Sequence, residues 1–164
     1  MTITAERAKN VDFSDPYFEA TQAVLVAKNS GITSLDGAKG KKLGAQAQTT
    51  GEDFAKKKGL DPVSFASSDA VLNGLRTGQV QAVVIDYPVV QGWLKDKANA
   101  DKFKVVDNLK TGEQYGFTVK KGNKPLLKAI NKALKGAKAD GTYKKIYEKW
   151  IGPYDSSVAS PAGS

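Results

Sequence analysis

The chain of 164 residues predicts an α/β fold in which a mostly parallel sheet carries helices on both faces. Three observations point there. Short apolar runs alternate with helix-period segments across residues 21–110. The run from Val80 to Ile85 is apolar beyond Gln81, as a strand covered on both sides must be. Residues 113–152 change character, to one alternating strand followed by two amphipathic helices, so a second and smaller body is expected.

The elements follow in order. Gln22–Ala27 is an apolar run of strand length, and Ser34–Lys39 a brief capped helix stopped at Gly40. Lys42–Gln46 is the next strand. Thr49-Thr50-Gly51-Glu52 has capping-box spacing, in which Thr49 accepts from the amide three residues on and Glu52 reaches back. The helix it opens runs through Lys58 and ends at Gly59. Val63–Ala66 is a strand. Ser68–Leu75 is a helix with Val71, Leu72 and Leu75 on one side, closed at Gly78.

After the Val80–Ile85 strand, Pro88 suits the first turn of a helix whose stripe is Val89, Val90, Trp93 and Leu94. Lys104–Val106 and Tyr115–Lys120 read as strands. Asn123 and Pro125 open a helix with the stripe Leu126, Leu127, Ile130 and Leu134, broken at Gly136 and again at residues 139–141. Tyr143, Ile146, Tyr147 and Trp150 recur at helical spacing in the last helix, and Gly152-Pro153 ends it. Residues 153–164 are expected to form a disordered tail, because from Asp155 on the Ser/Ala/Pro/Gly composition has almost nothing to bury.

Composition narrows the chemistry. The chain has no Cys and no His, which removes disulfides, thiol nucleophiles, Ser-His-Asp triads and imidazole metal sites together. No run reaches the ~18 apolar residues of a membrane span, and the first residues lack the pattern of a signal peptide. The net charge is +8, yet of 25 basic residues only Arg7 and Arg76 are Arg. Base and phosphate recognition favours the Arg fork, so the scattered Lys read as a solvated surface and no nucleic-acid partner is expected.

Three places carry recognition chemistry. Thr49-Thr50-Gly51 joins a strand to a helix start, where amides and the positive dipole end suit a carboxylate; a plain helix cap is the alternative. Asp86 follows a buried strand and suits an ammonium group, or else caps the helix at Pro88. Arg7 offers a bidentate fork to a carboxylate, or a surface ion pair with Glu6 or Asp12. Tyr143, Tyr147, Trp150 and Trp93 are expected to be core residues.

The ordered set MTITAERAKNVDFSDPYF, ITSLDGAKGKKLGAQAQTTGEDFAKK, GQVQAVVIDYPVV, EQYGFTVKKGN and LLKAINKALKGAKADGTYKKIYEKWIG resembles the amino-acid-binding proteins of bacterial ABC transporters, over roughly residues 1 to 152. Members of that family are two-lobed clamps of the type II periplasmic-binding-protein fold that close on a free amino acid. The resemblance implies that Arg7 pairs with the ligand α-carboxylate and that Thr2 contacts the same ligand. It implies that Thr50 and Gly51 donate to that carboxylate, Asp86 holds the α-ammonium, and Gln46 touches the ligand side chain.

The segment that precedes Met1 in family members, with most of lobe one, is not in this sequence. The resemblance therefore implies one complete lobe and part of the other, a truncated form. The expected division is 1–19 for partial lobe one with the first hinge strand, 20–112 for lobe two, and 113–152 for the second hinge strand and lobe-one helices. The implied partners are a free amino acid and the membrane subunits of the importer, with no cofactor and no metal. The parent protein is expected in the periplasm or outside the cell, and the truncated chain as a homodimer. An enzyme is not expected. Some proteins of this fold are dehydratases, but no carboxylate pair is placed for acid–base work. The remaining alternative is a self-associating fragment that binds no ligand.

Overall fold

The computed structural model describes residues 1–154. The first elements are short: a 3-10 turn at Arg7–Lys9, then β1 (Val11–Phe13) and β2 (Phe18–Ala27). A second 3-10 turn, Asp36–Ala38, stands where a brief helix is expected; the Ser34 hydroxyl accepts from the Gly37 amide to cap it. β3 (Leu43–Gln46) leads to α1 (Thr50–Lys57), β4 (Val63–Phe65) to α2 (Ser68–Arg76), and β5 (Ala82–Asp86) to α3 (Tyr87–Leu94). α4 (Lys97–Ala100), β6 (Phe103–Tyr115), β7 (Thr118–Lys120), α5 (Lys124–Ala139) and α6 (Thr142–Trp150) complete the described chain.

The chain divides into two compact units. Among the described residues, one is Met1–Ala20 with 112–154; the other is Thr21–Thr111. β2 and β6 each run from one unit into the other.

In the second unit five strands lie in the order β4-β3-β5-β2-β6. β3 is parallel to both β4 and β5, whereas β2 is antiparallel to β5, so the sheet is mixed. Successive side chains of a strand point to opposite faces, and here both faces are covered. On one face Ala23, Leu25, Val83 and Ile85 pack with Val71, Leu72 and Leu75 of α2 and Val90 of α3. On the other, Val24, Val26, Ala82 and Val84 pack with Ala55 of α1, Ala38 and Leu35. This double cover is the physical reason for the near-continuous apolar run in β5. Trp93 and Leu94 pack partly buried on the first of these cores.

In the first unit β1 pairs antiparallel with β7, from Val11 opposite Lys120 to Phe13 opposite Thr118. Thr2 bridges Tyr115, and Ser14 ties to Phe117 through both backbone and hydroxyl. Tyr17 stacks on Phe117 at 4.6 Å between ring centroids. Asn123 caps α5 by accepting from the Leu126 amide.

Several expectations are corrected. β6 is a single strand of 13 residues where only the short strand Lys104–Val106 was expected, because residues 107–114, mostly polar apart from Leu109, remain extended. The second expected strand shrinks to β7, interrupted at Gly116-Phe117. Gly136 does not break α5, which runs on to Ala139 and stops before Gly141 at φ 79°; one Gly costs a helix interior only about 1 kcal/mol. The expected core role of the C-terminal stripes fails, since α5 and α6 have no buried residue and Leu126, Ile146 and Trp150 are exposed. Tyr154, assigned to the tail, packs edge-on against Tyr143 and Tyr147. The rest of that expected tail, residues 155–164, lies outside the described residues.

Candidate functional site

In the second unit the candidate residues gather at one end of the sheet. Asp86 is the last residue of β5, half-buried, and occupies the position before α3 without forming a side-chain cap to it. The alternative role as a helix cap is therefore not realised. Its Oδ1 instead accepts a hydrogen bond of 2.7 Å from Nε2 of Gln22, which is fully buried and lies opposite Asp86 in the β2–β5 register.

The same Gln22 touches the start of α1. A β-carbon built on Gly51 would lie 2.8 Å from Gln22 Oε1 and 3.5 Å from the Val84 carbonyl oxygen, so a side chain there would press on the end of the Gln22 amide. Gly51, Gln22 and Asp86 thus form one continuous set: helix start, neutral amide, carboxylate. Thr50 is the first residue of α1, and Gln46, half-buried, is the last of β3.

The helix start is held by a carboxylate that cap spacing alone does not explain. Thr49 Oγ1 accepts from the Glu52 amide, as expected, and donates to the Gln46 carbonyl at 2.7 Å. Glu52 reaches back past Thr49 to accept from the Gln48 amide at 2.9 Å, where Gln48 adopts φ 60°. The buried Glu52 carboxylate also accepts from Ser64 Oγ on β4 and pairs with Lys56 at 3.1 Å. The Ser64 hydroxyl, then the Gln48 amide and the Lys56 ammonium, hold its carboxyl below the usual carboxylate range. Sequence reasoning found Glu52 only as a capping residue and missed Gln22 altogether. The available signal for Gln22 was a lone amide opening an otherwise apolar strand.

In the first unit, Thr2 and Arg7 come together. Arg7 Nη1 donates to the Thr2 carbonyl at 3.0 Å, and the Arg7 amide donates to Thr4 Oγ1. Thr2 is buried, and its hydroxyl donates to Glu113 at 2.9 Å. The acids weighed as surface partners of Arg7 pair with lysines, Glu6 with Lys9 and Asp12 with Lys121. Lys121 and the Gly122 amide lower the Asp12 pKa.

Among the described residues no group of three or more acidic side chains could hold a metal ion, and no helix is long and apolar enough to cross a membrane.

Comparisons with known proteins show the family. A family model described as bacterial extracellular solute-binding proteins, family 3, matches residues 1–153. A glutamine-binding protein of an ABC transporter from Bacillus subtilis (strain 168) is 39% identical over 154 residues, covering 92% of this chain and 55% of the relative. A putative ABC transporter arginine-binding protein from Escherichia coli (strain K12) is 39% identical over 155 residues, with 92% and 63% covered. The chain therefore spans between 55% and 63% of these two relatives.

Among solved structures, an ancestral arginine-binding protein bound to glutamine superposes with a TM-score of 0.82 at 48% identity, covering 93% of this chain and 68% of that one. An arginine-, lysine-, histidine-binding protein from Geobacillus stearothermophilus gives a TM-score of 0.83 at 35% identity, covering 95% and 69%. The fold is thus that of the type II periplasmic binding proteins, and the chain belongs to family 3 of the bacterial extracellular solute-binding proteins.

Proposed function

We propose that this chain is the recognition part of an extracytoplasmic protein that captures a free α-amino acid for the membrane subunits of an ABC importer. The observation that carries the reading is the set Gly51–Gln22–Asp86: a helix start and an oriented carboxylate at the same end of one sheet. A zwitterion needs both. The amides of Thr50 and Gly51, with the positive end of α1, suit its carboxylate. Asp86 suits its ammonium. Each unit carries part of this chemistry by itself: in the first, the Arg7 fork suits a carboxylate beside Thr2, and in the second, Gln46 on β3 is assigned to the ligand side chain. The names of the relatives, which include glutamine- and arginine-binding proteins, support the ligand class. Binding without turnover is part of this reading: with no His or Cys, proton transfer would fall to Asp, Glu or Lys. The parent protein belongs in the periplasm or outside the cell and works without a cofactor.

Calorimetric titration with L-arginine and L-glutamine, and with their Nα-acetyl forms, tests this. The free amino acids should bind and the acetylated ones should not. Asp86→Asn should weaken binding by about thirtyfold or more, the cost of losing a charge-assisted bond of roughly 2–4 kcal/mol in a desolvated site. Equal affinity for the acetylated ligand, unchanged affinity in the variant, or no binding of either amino acid would overturn the reading.

A second reading, self-association through the C-terminal helices, has one observation in its favour. α5 and α6 are amphipathic yet bury none of their residues, leaving Leu126, Ile146 and Trp150 in solvent. A closed two-fold dimer is the common way to cover a self-complementary patch. Light scattering after size exclusion at tens of micromolar should then give twice the chain mass; a compact monomer refutes it.

A further inference from the structure

We propose that Gln22 is a positioning residue that sets the orientation of the Asp86 carboxylate without cancelling its charge. The inference deepens the ligand reading above and rests on it.

Gln22 is fully buried in β2 among Ala20, Ala23, Val24, Leu25 and Val26, all fully buried too, with only Thr21 beside it half-exposed. An amide placed in such a run costs free energy unless it is hydrogen-bonded, so its presence calls for a reason. A Leu or Val would serve the sheet as well. What the amide adds is the 2.7 Å bond to Asp86 Oδ1, made to its direct neighbour across the ladder. The other end of the amide is wedged against Gly51, where a β-carbon would come within 2.8 Å. The Gln22 amide thus lies between the helix start and the carboxylate.

The chemistry of the donor decides what this contact can do. A Lys or Arg at position 22 would form an internal ion pair and compete with an incoming ammonium. A Glu would repel the carboxylate. An amide N–H holds one carboxylate oxygen in place and leaves the full negative charge for the ligand.

The test is a double-mutant cycle read by calorimetry with L-arginine and L-glutamine. Gln22→Met keeps the volume and removes the donor. It should weaken binding about tenfold in the wild-type background, the worth of one hydrogen bond to a charged group. In the Asp86→Ala background the same change should cost less than about twofold, because coupled residues are not additive. Any loss of thermal stability should persist in both backgrounds, which separates positioning from a structural role.

If Asp86→Ala weakens binding but Gln22→Met does not, or if the two losses add, the proposal fails while the ligand reading stands. If neither amino acid binds the wild type, or Nα-acetyl-arginine binds as well as arginine, the ligand reading fails and takes the proposal with it. Should Gln22→Met not fold, the side-chain amide protons of Gln22 decide by NMR. They should exchange slowly in the wild type and shift and exchange faster in Asp86→Ala; identical behaviour in both overturns the proposal.

Discussion

Gly74 lies within α2, and a β-carbon there would meet the Phe65 ring at 2.5 Å. Gly74→Ala sets two effects against each other. Helix propensity favours Ala over Gly by about 1 kcal/mol. The ring opposes it, because carbon atoms prefer separations of about 3.5–4.0 Å and the ring would have to retreat by more than about 1 Å. The ring also lies over Gly44 of β3, 3.0 Å from a built β-carbon. Overpacking of this kind costs roughly 1–3 kcal/mol. The clash should win, leaving a net destabilisation of about 0–2 kcal/mol. Removing the obstacle should reverse the sign: in a Phe65→Ala background, Gly74→Ala should stabilise by about 1 kcal/mol. Urea unfolding of the four proteins reads this directly through the midpoints. Gly74→Ala stabilising the wild type as much as it stabilises Phe65→Ala would refute the reasoning, since the ring would then be no obstacle.

Further outcomes can be checked in the same way. The Glu52 pKa is depressed in the folded state, so its contribution is present above its ordinary value of 4.5 and is lost as pH falls through the lower folded value; Glu52→Gln should flatten the acid limb of stability against pH, and an unchanged limb would show that Ser64 and Gln48 do not hold the charge. Tyr143, whose phenol donates to the Tyr17 carbonyl, is pushed up to about 12 by burial. Its stabilisation should be intact below pH 10 and fall as pH rises towards 12, and ultraviolet difference titration should show a late phenol, beside that of Tyr17 which burial also raises, that Tyr143→Phe removes. Trp150 is 56% exposed while Trp93 is half-buried, so Trp150→Phe should remove most of the iodide-quenchable fluorescence; quenching that persists would mean that the α6 face is covered in solution.

Much of the second unit was legible because its signals are local. The alternation of short apolar runs with capped helices, the glycines at helix ends and the apolar run before Asp86 each depend on a few neighbouring residues. The candidate residues Thr50, Gly51 and Asp86 were legible for the same reason: each sits at a junction of strand and helix, where ligands of such sheets bind. What was illegible depends on partners distant in the chain. Residues 107–114, mostly polar, carry no strand period of their own, and the sheet order gives β6 its neighbour in β2. Glu52 has the spacing of a capping residue, but the amide it reaches belongs to Gln48, and Ser64 from β4 joins it.

The sequence by itself determined most helices and strands of the second unit and the residue types able to hold a zwitterion, because periodicity, caps and charge are properties of adjacent residues. Only the tertiary structure decided which of these meet. It set Gln22 opposite Asp86 through the antiparallel register of β2 and β5, brought Gly51 against the same amide, and left the stripes of α5 and α6 without a buried residue. The reason is physical: an amphipathic stripe shows that a face can be buried, but burial needs an apolar partner, and no local pattern specifies which distant segment supplies it.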